Sequence, residues 1–482
     1  MSTLHAPQPT WSTRLATGDE SLRVHLLGIG GSGLAPIATV LHEMGFVVSG
    51  SDKQINPRTD ALAAQGVIVY PSQLAANLVD HPERRPDVVL ISSAVAADNP
   101  ERVAAEALGI PIAKRRDFLR PLLARRKVIA VAGTHGKSTT TAMIVRAFQE
   151  CGVDAGYIVG AELPEYGAAH AGSSAYFIIE ADEYDYMFLG LTPTVAVVTN
   201  VEWDHPDCFP TPQDFHNAFV AFTDQVVDGG LLVTCGDDAG AEALRIEQSG
   251  KVATLSYGLG EKVELRASAV VAGALGGYSA QVSKQETTLG VLSMQVPGQH
   301  NLRNGLAAVA VGLHCALPVD ELLAAVGSYQ GVARRFELKG EVNGITVIDD
   351  YAHNPTKVSA TLAAARARFG DRRIWAVVQP HTFNRTRALL HEMAASFEDA
   401  DCVRITDIYA ARERDDGSVS AQDIVAASRH PQIEHVSGLE AMAEHLAASV
   451  RPGDVVVVLG AGTSHRIGEL LLERLRAIQP VT

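Results

Sequence analysis

The sequence predicts an α/β protein built from successive parallel sheets, and three observations predict it. Short, continuous Val/Ile/Leu runs recur along the 482 residues, as strands covered on both faces should. The stretches between them are long enough for crossover helices. Glycine- and acid-rich turns of the kind that hold ligands follow such runs at three distant places, 28–33, 133–138 and 347–353 together with 379–387.

The runs are 24–28, 87–92, 128–133, 176–180, 195–200, 345–349, 374–379 and 454–460. Assigning each ligand-type turn to its own segment puts boundaries near Arg126 and Gly331, giving segments 1–126, 127–331 and 332–482. The basic run 124–127 is expected to act as a hinge. Residues 251–295, rich in Val, Thr, Ser and Gly, predict an antiparallel appendage to the middle segment.

Composition narrows the function. With 47% hydrophobic and 20% charged residues, the chain suits a folded enzyme and not a disordered one. A net charge of −15 repels a nucleic-acid backbone, so no nucleic-acid partner is expected and anionic ligands must be met by local positive charge. Cys151, Cys208, Cys235, Cys315 and Cys402 form no CxxC pair and are odd in number, which suits reduced cytosolic thiols better than a disulfide framework or a zinc site. Residues 1–20 lack a signal-peptide core, and no run approaches the roughly 18 apolar residues of a membrane span, so a cytoplasmic protein without membrane insertion is expected.

In the first segment, Gly28-Ile-Gly-Gly-Ser-Gly33 stands between an apolar run and an expected helix over 34–44, the context of a pyrophosphate turn. Asp52, about 24 residues on, falls where a ribose-binding carboxylate belongs. Alone, this motif would equally suit a nicotinamide-dependent dehydrogenase.

The second segment opens with Val-Ile-Ala-Val-Ala-Gly-Thr-His-Gly-Lys-Ser-Thr-Thr-Thr over 128–141. Backbone N–H groups from Thr134 to Ser138, at the positive end of a helix, are expected to surround a polyphosphate, with Lys137 adding charge and Ser138 reaching a metal. A strict P-loop has glycine five residues before Gly136, where this chain has Val131, so a shorter variant is implied. Glu180-Ala-Asp-Glu-Tyr-Asp185 and Thr199-Asn-Val-Glu-Trp-Asp-His-Pro-Asp207 end the next two strand-like runs. Ser138, Glu180 and His205 are therefore expected to converge on Mg²⁺ beside the phosphates, hard oxygen ligands favouring magnesium over zinc.

Pro297-Gly-Gln-His-Asn-Leu-Arg-Asn304 precedes an alanine-rich helix, and its asparagines either meet a purine edge or cap that helix. Arg334 and Arg335 open the third segment as candidates to complete a phosphate site, or else as surface residues. Asp349-Asp-Tyr-Ala-His-Asn-Pro355 ends its first strand.

Taken in order, these motifs, with Arg-Arg-Phe-Glu at 334–337 and Gln-Pro-His-Thr-Phe-Asn-Arg-Thr-Arg at 379–387, resemble the Mur ligase family over nearly the whole chain. The resemblance implies three domains: a Rossmann-like N-terminal domain for a UDP-sugar, a P-loop-type central ATPase, and a Rossmann-like C-terminal domain that completes the ATP site and binds an amino acid. It is strongest to the branch that joins L-alanine to UDP-N-acetylmuramate with ATP and Mg²⁺, in a monomer or homodimer. Gly30, Ser32, Gly33 and Asp52 would then meet the UDP moiety, with Ser92 and Ser93 nearby. Gly133, Thr134, His135, Gly136, Lys137, Ser138 and Thr139 would hold the phosphates, and Glu180 and His205 the metal. Asn304 would face the adenine, Arg335 and Asp350 would reach ATP, and His381 and Arg385 would lie on the amino-acid and muramoyl side. Lys137, His205, Arg335 and His353 would form the catalytic group, with His353 a candidate base by residue type alone.

Two positions depart from the family pattern. Several Mur ligases carry a carbamylated lysine about fifteen residues after the histidine here numbered 205, but Val220 stands there and no lysine occurs between Lys137 and Lys251. Asn354 stands where a second histidine is expected. The rival within the family adds an intact tripeptide to the same UDP-sugar and should carry a longer, lysine-containing stretch after Asp185; here Tyr186-Met-Phe-Leu-Gly-Leu-Thr-Pro193 leads straight to the next strand. A dehydrogenase or a non-catalytic nucleotide-binding regulator would leave Lys137, Glu180 and His205 together with the third segment unexplained.

Overall fold

A computed structural model describes residues 10–80, 82–273, 277–411 and 413–477. The chain divides into two compact units: one holds the residues up to 202 with 216–257 and 310–318, the other 203–215, 258–309 and the residues from 319 onward. Among the described residues no helix is long and apolar enough to cross a membrane.

The first unit begins with a sheet of β1 (Arg23–Leu27), β2 (Val47–Ser51), β3 (Ile68–Tyr70), β4 (Val88–Ile91) and β5 (Ile112–Lys114). Its order is β3-β2-β1-β4-β5, and every pairing is parallel. Connections leave β1 in one direction for β2 and β3 and return to its other side for β4. That reversal opens a crevice beyond the carboxyl ends of β1 and β4, where ligands of open α/β sheets bind.

The unit continues with β6 (Lys127–Ala132), β7 (Gly156–Leu163), β8 (Gly167–His170), β9 (Tyr176–Glu180), β10 (Val195–Val198), β11 (Leu231–Cys235) and β12 (Ala253–Gly258), ordered β12-β11-β10-β6-β9-β7-β8. β6 pairs in parallel with both β10 and β9, so the residues following those three strands emerge on one edge. The expected appendage needs correction here, because Ala253–Gly258 is a parallel partner of β11. Only the later strands of that stretch are antiparallel. The expected hinge at 124–127 is also anchored: the Arg126 guanidinium donates to the carbonyls of Ala171, Gly172 and Ser174, and Lys127 already belongs to β6.

The second unit contains the antiparallel β13 (Leu265–Ala272), β14 (Tyr278–Lys284) and β15 (Thr287–Ser293). It also holds a sheet of β16 (Glu337–Val342), β17 (Ile345–Asp350), β18 (Ile374–Val378), β19 (Cys402–Ile405), β20 (Ile433–His435) and β21 (Val455–Leu459), in the order β16-β17-β21-β18-β19-β20. The uninterrupted valines of β21 are explained by its two neighbours in space. Val455, Val457 and Leu459 pack into one core with Leu362 and Phe397, while Val456 and Val458 pack into another with Met442 and Leu471. A strand covered on both faces has no polar positions to alternate with.

Candidate active site

At the end of β1, Gly28 takes a left-handed φ of 91°, and the amides of Gly28 and Ile29 donate to the Ser51 carbonyl at 2.8 and 3.0 Å. The Asp52 carboxylate accepts the Gly30 amide at 2.9 Å, so Asp52 also fixes the turn from the end of β2. Asn56 caps the helix Pro57–Ala64 and donates its amide to the Gly30 carbonyl at 3.3 Å. Ser32 and Ser93 are exposed, while Gly33 and Ser92 are half-buried. Gly30, Ser32 and Gly33 thus follow β1, Asp52 follows β2, and Ser92 and Ser93 follow β4, all at the carboxyl ends of one parallel sheet.

At the end of β6, Gly133 has φ 135° and Gly136 φ 80°, both in the region that favours glycine. A Cβ on Gly133 would stand 2.1 Å from the Thr199 hydroxyl. That hydroxyl donates to the His135 carbonyl at 2.6 Å. The expected phosphate cradle needs one correction. The Thr134 amide donates to the Asn200 carbonyl at 3.3 Å and the His135 amide to the Asn200 side chain at 2.8 Å, so two of the amides tie the loop to the segment after β10. The amides of Gly136, Lys137 and Ser138 remain as the open first turn of the helix Lys137–Glu150, whose leading N–H groups have no partner within the helix. Thr139, half-buried, lies in that first turn. His135 pairs through Nε2 with Glu202 at 2.7 Å.

Lys137 folds back on its own loop. Its Nζ donates to the Gly133 carbonyl at 2.6 Å and to the Glu183 carboxylate at 2.9 Å. Burial alone would lower the Lys137 amine, but Glu183, Asp182 and Glu180 outweigh it and hold its pKa above the ordinary lysine value. Burial pushes the Glu183 carboxyl up to about 7 against the pull of Lys137. The pair holds a buried cation beside the glycine turn that follows β6. Glu183 was not among the residues singled out from the sequence; its signal was the third acid of the Glu180-Ala-Asp-Glu183 turn.

Ser138 donates its hydroxyl to the Glu180 carboxylate at 3.0 Å, and the other Glu180 oxygen accepts the Gly160 amide at 2.7 Å. A hydroxyl and a carboxylate held together at a helix start are the hard donors that Mg²⁺ prefers. Two of the three expected ligands are therefore adjacent. His205 belongs to the second unit.

Within that unit, His205 takes a left-handed φ of 56°, and its amide donates to the Asp204 carboxylate at 2.7 Å. Arg385 donates through Nε and Nη2 to Asp204 at 3.3 and 3.1 Å, through Nη1 to His381 Nδ1 at 3.0 Å and through Nη2 to His205 Nδ1 at 3.3 Å. A neutral His205 so engaged carries its proton on Nε2; to ligate a cation the ring must shed the guanidinium or that proton. Asp204 is 3% exposed. Against the cost of its burial, Arg385 and the neighbouring histidines hold its carboxyl far below the usual range. Sequence reading missed Asp204, although it precedes the histidine that reading selected.

His381 is lowered to about 4, first by burial and then by Arg385, so it is neutral near pH 7. His353, 9% exposed, is lowered well below the ordinary value by burial and by Lys357 and Arg385. Its Nδ1 donates to the Tyr351 carbonyl at 2.8 Å, which leaves Nε2 as the basic nitrogen. The His353 and His381 rings lie 5.5 Å apart. Asn354 caps the helix Pro355–Phe369 by accepting the Lys357 amide.

Arg334 and Arg335 separate into two roles. Arg334 binds Asp349 at 2.9 Å and the Gly460 carbonyl at 2.7 Å, so it is a structural clamp and the surface alternative fails for it. Arg335 lies over the Tyr351 ring, 5.1 Å from its centroid. Asp350 accepts the amides of Phe336 and Ala352, each at 2.7 Å, and so anchors the turn that presents Arg335. Asn304, 7% exposed, lies inside the helix Gln299–His314 and donates to Asn301 at 3.2 Å. The capping alternative therefore fails too, since Asn301 donates to the Pro297 carbonyl and caps no amide through that contact.

Three family models match the chain: Mur ligase family, catalytic domain, over 23–127; Mur ligase middle domain over 131–312; and Mur ligase, glutamate ligase domain, over 334–462. The UDP-N-acetylmuramate–L-alanine ligase of Roseiflexus sp. (strain RS-1) is 40% identical over 474 residues, covering 94% of this chain and 99% of its own. That of Chloroflexus aggregans is 42% identical over 477 residues, covering 94% and 98%. The crystal structure of the UDP-N-acetylmuramate–alanine ligase from Thermotoga maritima is 26% identical with a TM-score of 0.79, covering 95% of this chain and 99% of that one. A murein peptide ligase from Psychrobacter arcticus is 25% identical with a TM-score of 0.71, covering 94% and 99%.

Proposed function

The chain belongs to the Mur ligase family, and we propose that its site residues join L-alanine to the lactyl carboxylate of UDP-N-acetylmuramate at the expected positions. It is an ATP-dependent amide ligase of peptidoglycan precursor synthesis. Near-full-length identity of about 40% to L-alanine ligases carries that reading. The tripeptide-adding alternative is not favoured, and the short turn Tyr184–Gly190 after β9 agrees.

Amide synthesis needs an activated carboxyl and a neutral amine. ATP phosphorylates the lactyl carboxylate to an acyl phosphate, and the amine of L-alanine attacks it with loss of phosphate. The two reacting groups are both anions before transfer, so positioning and positive charge supply most of the rate. Lys137 is the first such charge: arriving phosphate draws its ammonium from Glu183, leaving the buried carboxyl able to take a proton. Arg335 is the second, on the turn that Asp350 anchors. Ser138 and Glu180 with His205 would hold Mg²⁺, which supplies charge neutralisation between the phosphates. Asn304 faces the adenine in this reading, and His381 and Arg385 the incoming carboxylates. His353, neutral with Nε2 as its acceptor, is by residue type the candidate base for the alanine amine. Gly30, Ser32, Gly33, Asp52, Ser92 and Ser93 hold the UDP-sugar. Domain boundaries fall near Arg126 and Gly331, and a cytoplasmic setting follows from the nucleotide substrates.

The test is phosphate release from ATP and Mg²⁺ with UDP-N-acetylmuramate. Release that requires L-alanine supports the reading. Release that responds only to the tripeptide makes the chain the other enzyme, and silence to both overturns it.

A further inference from the structure

The sequence reading assigned no cation to the nucleotide-sugar crevice of a protein carrying a net charge of −15. A diphosphate there needs focal positive charge. The structure supplies it from β5 and the start of the helix Arg115–Leu122. Arg115 Nη1 stands 2.6 Å from where a Cβ on Gly33 would lie. A Cβ at that corner would push the guanidinium away from the backbone of the turn. Beside it lies a cavity of about 230 Å³ whose lining includes Ser93, Lys114, Arg116, Asp117 and Asp185, with Arg115 itself in the wall. The cavity has room for one sugar ring.

Its lining acids, Asp117 and Asp185, are outnumbered by Lys114, Arg115 and Arg116. Arg115 reaches Asp182 at 3.8 Å and Lys114 reaches Asp185 at 3.7 Å, both longer than a hydrogen bond. Asp182 and Asp185 belong to the same loop that carries Glu183, the partner of Lys137. One loop therefore borders both the phosphate cradle of β6 and the cavity beyond β4 and β5. A ligand filling the cavity would have its acceptor group delivered along that loop toward the cradle.

We propose that Arg115 binds the sugar-side phosphate of the UDP diphosphate through its guanidinium, over Gly33, and that the adjoining cavity holds the sugar ring. This rests on the ligase reading above. Arginine suits the task because its planar fork can bind two phosphate oxygens at once, which lysine cannot.

The test is steady-state kinetics of Arg115→Met and Arg115→Lys beside the unaltered enzyme, with the Michaelis constants for UDP-N-acetylmuramate, ATP and L-alanine each measured. Expected for Arg115→Met is a tenfold to hundredfold rise in the constant for UDP-N-acetylmuramate, with those for ATP and L-alanine within about twofold. Arg115→Lys should fall between, since charge remains and the fork is lost; it decides the matter if the methionine variant does not fold. Inhibition by UDP, which has both phosphates but lacks the muramoyl sugar, should weaken by the same factor. An unchanged substrate constant, an equal rise in all three, or undiminished UDP inhibition overturns the assignment. If the unaltered enzyme does not turn over UDP-N-acetylmuramate, the ligase reading fails instead.

Discussion

Replacing Gly133 by alanine should damage the cradle in two separable ways. The added Cβ would stand 2.1 Å from the Thr199 hydroxyl and 3.1 Å from the amides of Thr199 and Asn200. The hydroxyl cannot simply turn away, because it donates to the His135 carbonyl. Relief therefore means moving the loop by about 1 Å, a displacement worth roughly a hundredfold in rate at a reacting centre. The second penalty is the backbone itself: φ of 135° costs a residue with a Cβ about 1–3 kcal/mol. Gly133→Ala should thus lower kcat/KM for ATP by at least about a hundredfold. Removing the obstruction as well, in Gly133→Ala/Thr199→Ala, should restore part of the loss even though Thr199→Ala alone costs about 1 kcal/mol for its lost hydrogen bond. Phosphate release by the two single variants and the double variant measures the coupling. Strictly additive losses, or a near-normal Gly133→Ala enzyme, would refute the steric argument.

Lys137→Ala should lower turnover by about two orders of magnitude or more, as loss of a preorganised charge does; near-normal phosphate release would remove Lys137 from its assigned role. Arg385→Met should destabilise the second unit by about 3–5 kcal/mol, because Asp204 is left buried without its cation, and Asp204→Asn/Arg385→Met should recover much of this. Urea unfolding followed by the fluorescence of Trp203 and Trp375 reads the difference, and equal instability of the single and double variants counts against the pair. Asp349 is raised to about 6, mainly by burial and despite Arg334, above the value near 4 of an unfolded carboxyl. The folded state therefore binds the proton more tightly, and this group's contribution to stability falls as pH rises from about 4 to 6, by up to about 3 kcal/mol. Asp349→Asn should flatten that fall, so its melting temperature should gain on the parent between pH 4.5 and 7.5; a constant difference would show that the carboxyl does not titrate there.

The sequence by itself determined what is local. Continuous apolar runs marked the parallel strands because both faces of β21 and its neighbours are covered, and positive-φ glycines marked the turns at 28 and 133 because no other residue sits there without strain. Glu180 was legible because it ends a strand, and Lys137 and Ser138 because they open the helix after the glycine turn that follows β6. What only the tertiary structure decided is which groups meet across the chain. Asp204 and Arg385 stand 181 positions apart, and nothing in the neighbourhood of either indicates that the other neutralises it. The amides of Thr134 and His135 looked available to phosphate until Asn200, brought alongside by the β6–β10 pairing, took them. Residues 253–258 resembled the antiparallel strands after them in composition, yet pair in parallel with β11, because strand direction depends on the route of the connection and not on the residues of the strand. Charge and hydrogen-bond capacity are properties of a residue type, whereas the partner that uses them is fixed by topology.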